Sequence, residues 1–290
     1  MANTIALAKN YTSILDEVYK KASVTADLTS DNTMVRAGAN ANEIVYPQIS
    51  VSGLGDYDRN SGYTNGSVNL EWKTATFNYD RGTKISVDVM DNDESRDIAF
   101  TMAGSELMRT KVAPEADAFV FATLAGKTGI SKATPETYAD ATAFLTALIE
   151  AKNTMDEDEV PEEGRILYAT PTLLNGVMAL DTTKSREVLA TFSKTVKVPQ
   201  SRFYTAIDLL DGKTSGEEAG HYAKASTGKD INFMIVHKPA VIKFDKHTAS
   251  DIIPASANAN ADADISKYRK YGIVDVYDNK VAGIYLSHKA

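Results

Sequence analysis

Val68-Asn69-Leu70-Glu71-Trp72-Lys73-Thr74-Ala75-Thr76-Phe77-Asn78-Tyr79 is an alternating run that changes phase near its middle. Val68, Leu70 and Trp72 share one face of a strand, and Asn69, Glu71 and Lys73 share the other. Phe77 and Tyr79 return in the opposite phase, as do Ile85, Val87 and Val89. A one-residue slip sends every side chain to the other face. The change near Ala75 therefore predicts a bulge, a bend or passage into another environment. Upstream, Ile44, Val45, Tyr46, Ile49 and Val51 form a matching run, separated from the first by a turn-rich tip from Gly53 to Gly66. Together they predict a long two-stranded hairpin within 43–90. Such a hairpin is marginal alone and needs a surface to pack on.

On the N-terminal side, residues 1–22 read as a helix. Tyr11, Ile14, Leu15, Val18 and Tyr19 make one apolar stripe at helical spacing. Ser23 to Asn42 is polar and small, an extended arm with no core of its own. The stripe must then be covered elsewhere, on this chain or on a neighbour. On the C-terminal side, 93–126 is the longest helical stretch, opening at Asp91, Asp93 and Glu94 with chemistry that suits a helix start. If continuous it would run ~50 Å at ~1.5 Å per residue. Pro114 interrupts it, because proline lacks an amide hydrogen and crowds the carbonyl four residues back. The same geometry pushes Ala113 away from helical angles. A bend at 111–114 is expected.

Further along, 136–156 is a helix, Arg165 to Ala169 a strand, and Thr170 caps a helix that opens at Pro171. Lys213 to Asp230 reads as an exposed loop. Ile231 to Val236 is apolar on both faces, as a central strand is. Ala240 to Phe244 is a second strand and Ala255 to Asp264 a low-complexity linker. Ile273 to Tyr277 and Val281 to Leu286 flank Asp278-Asn279, a hairpin signal.

Composition narrows the function classes. The chain has 290 residues with 43% apolar and 24% charged, ordinary values for a globular protein. It holds no cysteine, which removes disulfides, thiol catalysis and thiolate metal sites. No apolar run reaches the ~20 residues of a membrane span, and Met1 to Asn10 lacks the pattern of a secretory signal. The net charge of −8 gives no footprint for tight nucleic-acid binding. His221, His237, His247 and His288 form no metal-spaced cluster. The acidic run Asp156 to Glu159 reads as a solvated helix end. Gly53 to Gly66 has no phosphate-cradling ending, and no Gly-x-Ser-x-Gly elbow occurs. No catalytic, cofactor-binding or metal-binding residue is assigned, and the chain is expected not to be an enzyme.

An arm and a hairpin that cannot bury their apolar residues are explained by neighbours. Repeated heterologous contacts close into rings or shells. Interface residues are accordingly expected at Tyr11, Ile14, Leu15 and Val18 of the arm and at Leu70 and Trp72 of the hairpin.

The sequence also resembles the tailed-bacteriophage major capsid proteins over nearly its whole length. Carrying the resemblance are Tyr79-Asp80-Arg81-Gly82 leading into Ile85-Ser86-Val87-Asp88, and the helix segment Val112-Ala113-Pro114-Glu115-Ala116-Asp117-Ala118. So do Val160-Pro161-Glu162-Glu163-Gly164-Arg165-Ile166-Leu167-Tyr168 and Ile231-Asn232-Phe233-Met234-Ile235-Val236-His237-Lys238. The ending Lys267-Tyr268-Arg269-Lys270-Tyr271-Gly272-Ile273-Val274-Asp275, followed by Asn279-Lys280, looks like the last hairpin of that family. Order and spacing carry the match, since no single motif is diagnostic.

The resemblance implies an α+β Hong Kong 97-type major capsid fold. Its parts would be an N-terminal arm at 1–42, an extended β-hairpin loop with base strands at 43–92 and a long spine helix at 93–126 in the peripheral domain. An axial domain at 127–250 and C-terminal peripheral-domain strands at 251–290 would complete it. The implied function is a self-assembling head subunit, a homo-oligomer of pentamers and hexamers in an icosahedral shell around double-stranded DNA contacted weakly. Implied partners are a scaffolding protein, a portal and decoration proteins, with no membrane and no cofactor. Met1 favours a scaffold separate from this chain. The shell would be assembled in the host cytoplasm and end in the virion. A bacterial encapsulin nanocompartment, enclosing cargo enzymes, shares the fold and stays open. A hydrolase or sugar-binding surface protein would need convergent carboxylates in a polar pocket, which the sequence does not present.

Overall fold

A computed structural model describes residues 23–30, 36–37, 42–94, 104 and 106–290. They fall into two compact units, one within Asp31–Asn78 and the other comprising Met1–Ser30 with Tyr79–Ala290.

The smaller unit is a three-stranded sheet in the order β1 (Arg36–Ala37), β2 (Glu43–Val51), β3 (Val68–Thr76). β2 and β3 pair antiparallel in unbroken register, from Glu43 opposite Thr76 to Val51 opposite Val68. The tip is closed by Ser52 N–H donating to Ser67 O at 2.9 Å. Further out, Asp58 and Gly62 exchange backbone hydrogen bonds, with Gly62 at φ +80°, where a side chain is strained. β3 ends at Thr76, and β4 (Tyr79–Asp88) belongs to a different sheet. The phase change near Ala75 is thus a passage between sheets.

In the larger unit β4 is the edge of a sheet ordered β11 (Val241–Ile253), β12 (Ala263–Val276), β4. β11 runs far beyond the short strand expected at 240–244. An antiparallel sheet with a solvated face needs no continuous apolar run, so polar residues from Asp245 onward pair as well. The expected linker at 255–264 is mostly the connection of this long hairpin. Its polar residues close it locally: Asp264 Oδ1 accepts from Ala255 N at 2.8 Å, and Asn258 Nδ2 donates to Ala263 O at 3.0 Å.

The second sheet of this unit is ordered β5 (Ser131–Lys132), β13 (Ile284–His288), β10 (Ile231–His237), β6 (Arg165–Ala169), β7 (Lys194–Lys197). β10 is central and buried along its whole length. Met234 and Val236 of β10, with Ile166 and Tyr168 of β6, pack on one side against Val120, Phe121 and Leu124. Phe233 and Ile235, with Leu167 and Ala169, pack on the other against Phe144, Leu148 and Met155. Apolar character on both faces is what a strand between two helical layers requires.

The hairpin expected at Asp278-Asn279 does not form. β12 and β13 lie in different sheets, joined by the 3-10 segment Asp278–Gly283. Lys280 follows Asn279, so the glycine of a two-residue hairpin turn is missing. Gly283 instead serves a close crossing, because a Cβ there would meet the Ala240 Cβ at 2.8 Å.

The helical run opens with α1 (Val89–Glu94). Asp88 Oδ1 accepts from Met90 N at 2.9 Å, so the start lies before Asp91, Asp93 and Glu94. A π segment, Met108–Val112, leads into α2 (Ala113–Gly126). Ala113 keeps helical angles, φ −66° and ψ −45°, and its N–H reaches Met108 O, five residues back. This corrects the expectation that Pro114 displaces Ala113 from the helix. The wider π turn carries the preceding carbonyls off the proline ring, and Pro114 sits in the first turn of α2, where an absent N–H costs little.

α3 (Ala141–Glu157) is capped by Asp140, which accepts from Ala143 N at 2.8 Å. α4 (Pro171–Leu180) begins after Thr170, whose side chain makes no capping bond. α5 (Thr183–Ala190) has a reciprocal cap between Thr182 and Ser185. A small sheet of β8 (Ile207–Leu209) and β9 (Tyr222–Lys224) extends into the segment read as a loop.

Candidate assembly interface

Cross-strand register turns the hairpin's alternation into a surface. Trp72 lies opposite Pro47, Leu70 opposite Ile49, and Val68 opposite Val51. Partners in direct register share a face, so these six residues form one apolar ladder. It is open to water: Ile49 is 61% exposed, Val51 68%, Val68 71%, Leu70 52% and Trp72 49%. The other face carries Asn69 opposite Ser50 and Glu71 opposite Gln48, with a Lys73–Glu71 ion pair at 3.1 Å. Leu54, Tyr57 and Tyr63 add exposed apolar area at the tip. A contiguous apolar patch with a polar reverse side marks a contact surface. Leu70 and Trp72, singled out from sequence, stand on this ladder. Tyr11, Ile14, Leu15 and Val18 lie outside the described residues.

Two carboxylates of α2 build the polar anchors of the larger unit. Asp117 is fully buried. It accepts from Ser23 Oγ at 2.9 Å, Val24 N at 3.1 Å, Thr25 N at 3.2 Å, Thr25 Oγ1 at 2.8 Å and Arg202 Nη1 at 3.1 Å. The far end of the same segment is tied to β11, where Ser30 N–H donates to Lys243 O at 2.9 Å and Ser30 Oγ donates to Val241 O at 2.8 Å. Lys243 Nζ reaches back to Thr25 O and Thr25 Oγ1. Burial pulls the Lys243 ammonium down to about 8, with Lys270 adding to the shift. Residues 23–30 are thus pinned at both ends.

Glu115, two positions earlier, takes a forked contact from Arg81 of β4, with Nε at 2.6 Å and Nη2 at 3.2 Å. Tyr79 Oη donates to it at 3.3 Å, and His221 Nδ1 stands 3.5 Å away. Burial pushes the Glu115 carboxyl up. The contacts from His221 and Arg81 outweigh that and hold it below the usual carboxylate range.

Sequence reading missed both anchors. Their signal was two acids inside Val112-Ala113-Pro114-Glu115-Ala116-Asp117-Ala118, a segment otherwise small and apolar. In a helix buried nearly all round, such acids must be paired. The acidic run also differs from its expected role in one respect: Asp156 pairs at 2.7 Å with Arg165, which is buried. Among the described residues no group of three or more His, Asp or Glu is placed to hold a metal ion. No described helix is long and apolar enough to cross a membrane.

No family model matches the sequence, and no curated protein compared with it matches. Solved structures do match. The capsid structure of the cyanophage P-SCSP1u is similar over 93% of this chain and 88% of its own, at 15% identity and a TM-score of 0.60. The mature capsid of bacteriophage PhiM1 matches over 86% of this chain and 82% of its own, at 13% identity and a TM-score of 0.60. A virus-like particle from Pyrococcus furiosus matches over 97% of this chain and 99% of its own, at 9% identity and a TM-score of 0.60. The chain has the α+β capsid fold of the Hong Kong 97 type that its sequence led us to expect.

Proposed function

We propose that the chain is the major capsid subunit of a tailed-phage head, a structural protein rather than an enzyme. The observation that carries this reading is the likeness to phage capsid structures over nearly the whole chain. The exposed apolar ladder of β2 and β3 supports it, because a solitary subunit gains nothing from leaving that face in water. In this reading residues 1–42 are the arm, 43–92 the extended loop and base strands, and 93–126 the spine. Residues 127–250 form the axial domain and 251–290 the C-terminal peripheral strands. Subunits join as pentamers and hexamers, Tyr11, Ile14, Leu15 and Val18 pack on a neighbour, and the mature shell lies in the virion. Scaffold, portal and decoration proteins are its partners, and packaged DNA is touched weakly, in keeping with the net charge of −8.

Purified protein, alone or with a scaffolding protein, should form rings or shells far heavier than 31.4 kDa in sedimentation and electron microscopy. A monomer at high concentration in every salt, with scaffold supplied, would overturn the proposal. Particles recovered from the host separate the two shell readings: nucleic acid inside supports the capsid, and protein cargo supports the nanocompartment.

Pro114 belongs to the same proposal as the site of a bend that lets the spine follow a curved shell. Pro114→Ala restores a backbone donor and removes the ring that the π turn makes room for. Return of the π segment to α register is expected to raise helicity in circular dichroism. It should also alter particle size or block expansion in electron microscopy. Unchanged helicity together with normal, maturing shells would remove Pro114 from this role.

A further inference from the structure

We propose that Arg81 is a clasp that holds the neck of a hinged flap, residues 211–220, and ties the flap's position to helix α2. The flap grows from β8 and β9, whose last rung is Leu210 N–H donating to His221 O at 2.9 Å. It is a preformed body. Asp211 Oδ1 accepts from Lys213 N at 2.7 Å and Thr214 N at 2.8 Å, while Oδ2 accepts from Thr214 Oγ1 at 2.7 Å. These bonds hold the Asp211 carboxyl down at about 2. Glu217 Oε2 accepts from Asp211 N at 3.0 Å, and Gly220 N–H donates to Glu217 O at 2.8 Å.

The neck is built to turn. Gly212 and Gly220 face each other across it at φ +72° and +59°, and neither has a Cβ to limit rotation. Next to them His221 holds φ +76°, a costly conformation for a residue with a side chain. Strain of that kind persists only where surrounding contacts over-determine it. Here the His221 ring meets Glu115 and Tyr222, and its backbone carbonyl meets Arg81. Arg81 Nη2 donates to Leu210 O at 2.8 Å and to His221 O at 3.1 Å, one carbonyl on each arm of the neck. Glu115 accepts from Nε of the same guanidinium at 2.6 Å and shares Nη2 with the two carbonyls at 3.2 Å. A cavity of about 480 Å³ lies between the flap, β4 and the helix, bordered by Arg81, Lys111, Glu115 and Gly212. Any displacement of Glu115 along or about the helix axis therefore moves the clasp, and the flap with it. Arg81 is a positioning residue in this scheme: it acts on the flap through two backbone carbonyls.

Amide hydrogen exchange of the soluble full chain tests the clasp without any need for shells. In Arg81→Lys the charge beside Glu115 is kept, but the stem is one atom shorter and the Nε bond to Glu115 that aims the donor at both carbonyls is lost. Exchange across 209–222 should accelerate about tenfold, the scale of one lost charge-assisted hydrogen bond. Exchange in β10 should not change. Glu115→Gln should open the same segment, because it weakens both the bond that orients Arg81 and the direct approach of Glu115 to His221 Nδ1 at 3.5 Å. Unchanged flap exchange in Arg81→Lys overturns the proposal. So does acceleration spread evenly over flap and β10, since that reports loss of fold and no clasp.

Discussion

Trp72→Asp is expected to leave the subunit folded and to stop assembly. The argument rests on where the side chain stands before and after association. In the free subunit Trp72 is 49% exposed, on a hairpin whose strands pair in unbroken register from Glu43 opposite Thr76 to Val51 opposite Val68. A surface change of this kind moves stability by about 0.5 kcal/mol or less. At a subunit contact the same residue becomes a buried aromatic anchor, worth roughly 2–4 kcal/mol where such anchors have been truncated. Aspartate also places a charge against the apolar ladder of Pro47, Ile49, Leu70 and Val68. Each contact weakens by about 30-fold or more, and a shell repeats the contact in every subunit. Circular dichroism should match the parent protein, and sedimentation should show no shells. Glu71→Gln provides the control. It lies on the polar face in a solvent-screened surface ion pair, and should assemble normally. If Trp72→Asp unfolds the subunit, the residue belongs to an internal core. If it assembles like the parent, the ladder is not an interface.

What could be read in advance followed from periodicity. Alternation at Val68, Leu70 and Trp72 marked a hairpin, and its phase change marked a bulge, a bend or a passage into another environment, of which the fold takes the passage between sheets. The apolar run Ile231 to Val236 marked a central strand because both of its faces must meet helices. The places that escaped reading lack a local period. β11 continues through Asp245 to Asp251 because backbone pairing with β12 supports it, and no apolar pattern is required on a solvated face. β12 and β13 resemble two arms of a hairpin, yet they are drawn into different sheets by partners distant in sequence. Ala113 stays helical because the π turn before it makes room for Pro114. The anchors depended on residues separated by 92 positions, as in the Thr25 bond to Asp117, or by 34, as in the Arg81 bond to Glu115. A single chain read locally shows that Glu115 and Asp117 need partners. It does not show which residues the fold will bring to them.

Asp117→Ala is expected to be the most damaging single change in the larger unit. Five donors converge on this carboxylate: two backbone amides, two hydroxyls and one guanidinium. Removing it strands them together. Breaking a buried ion pair by deleting one partner costs about 3–5 kcal/mol, and the charge of Arg202 is left without its buried acceptor. Unpaired amides and hydroxyls of Val24 and Thr25 add to this wherever water cannot reach them. Asp117→Asn is the subtler variant. It fills the same volume but turns an amide donor toward donors, so a loss of about 2–3 kcal/mol is expected. Both should lower the urea midpoint of the full-length subunit with little change in slope. Hydrogen exchange gives the more specific reading, because residues 23–30 hang between Asp117 and β11. Losing one support should expose their amides while those of β6 and β10 stay protected. In the proposed capsid reading this segment is part of the arm, so variants that still fold should form irregular shells or none. An Asp117→Asn protein with the parent's urea midpoint and slow exchange at 23–30 would refute the anchor. It would mean that the pinning at Ser30 and Lys243 suffices by itself.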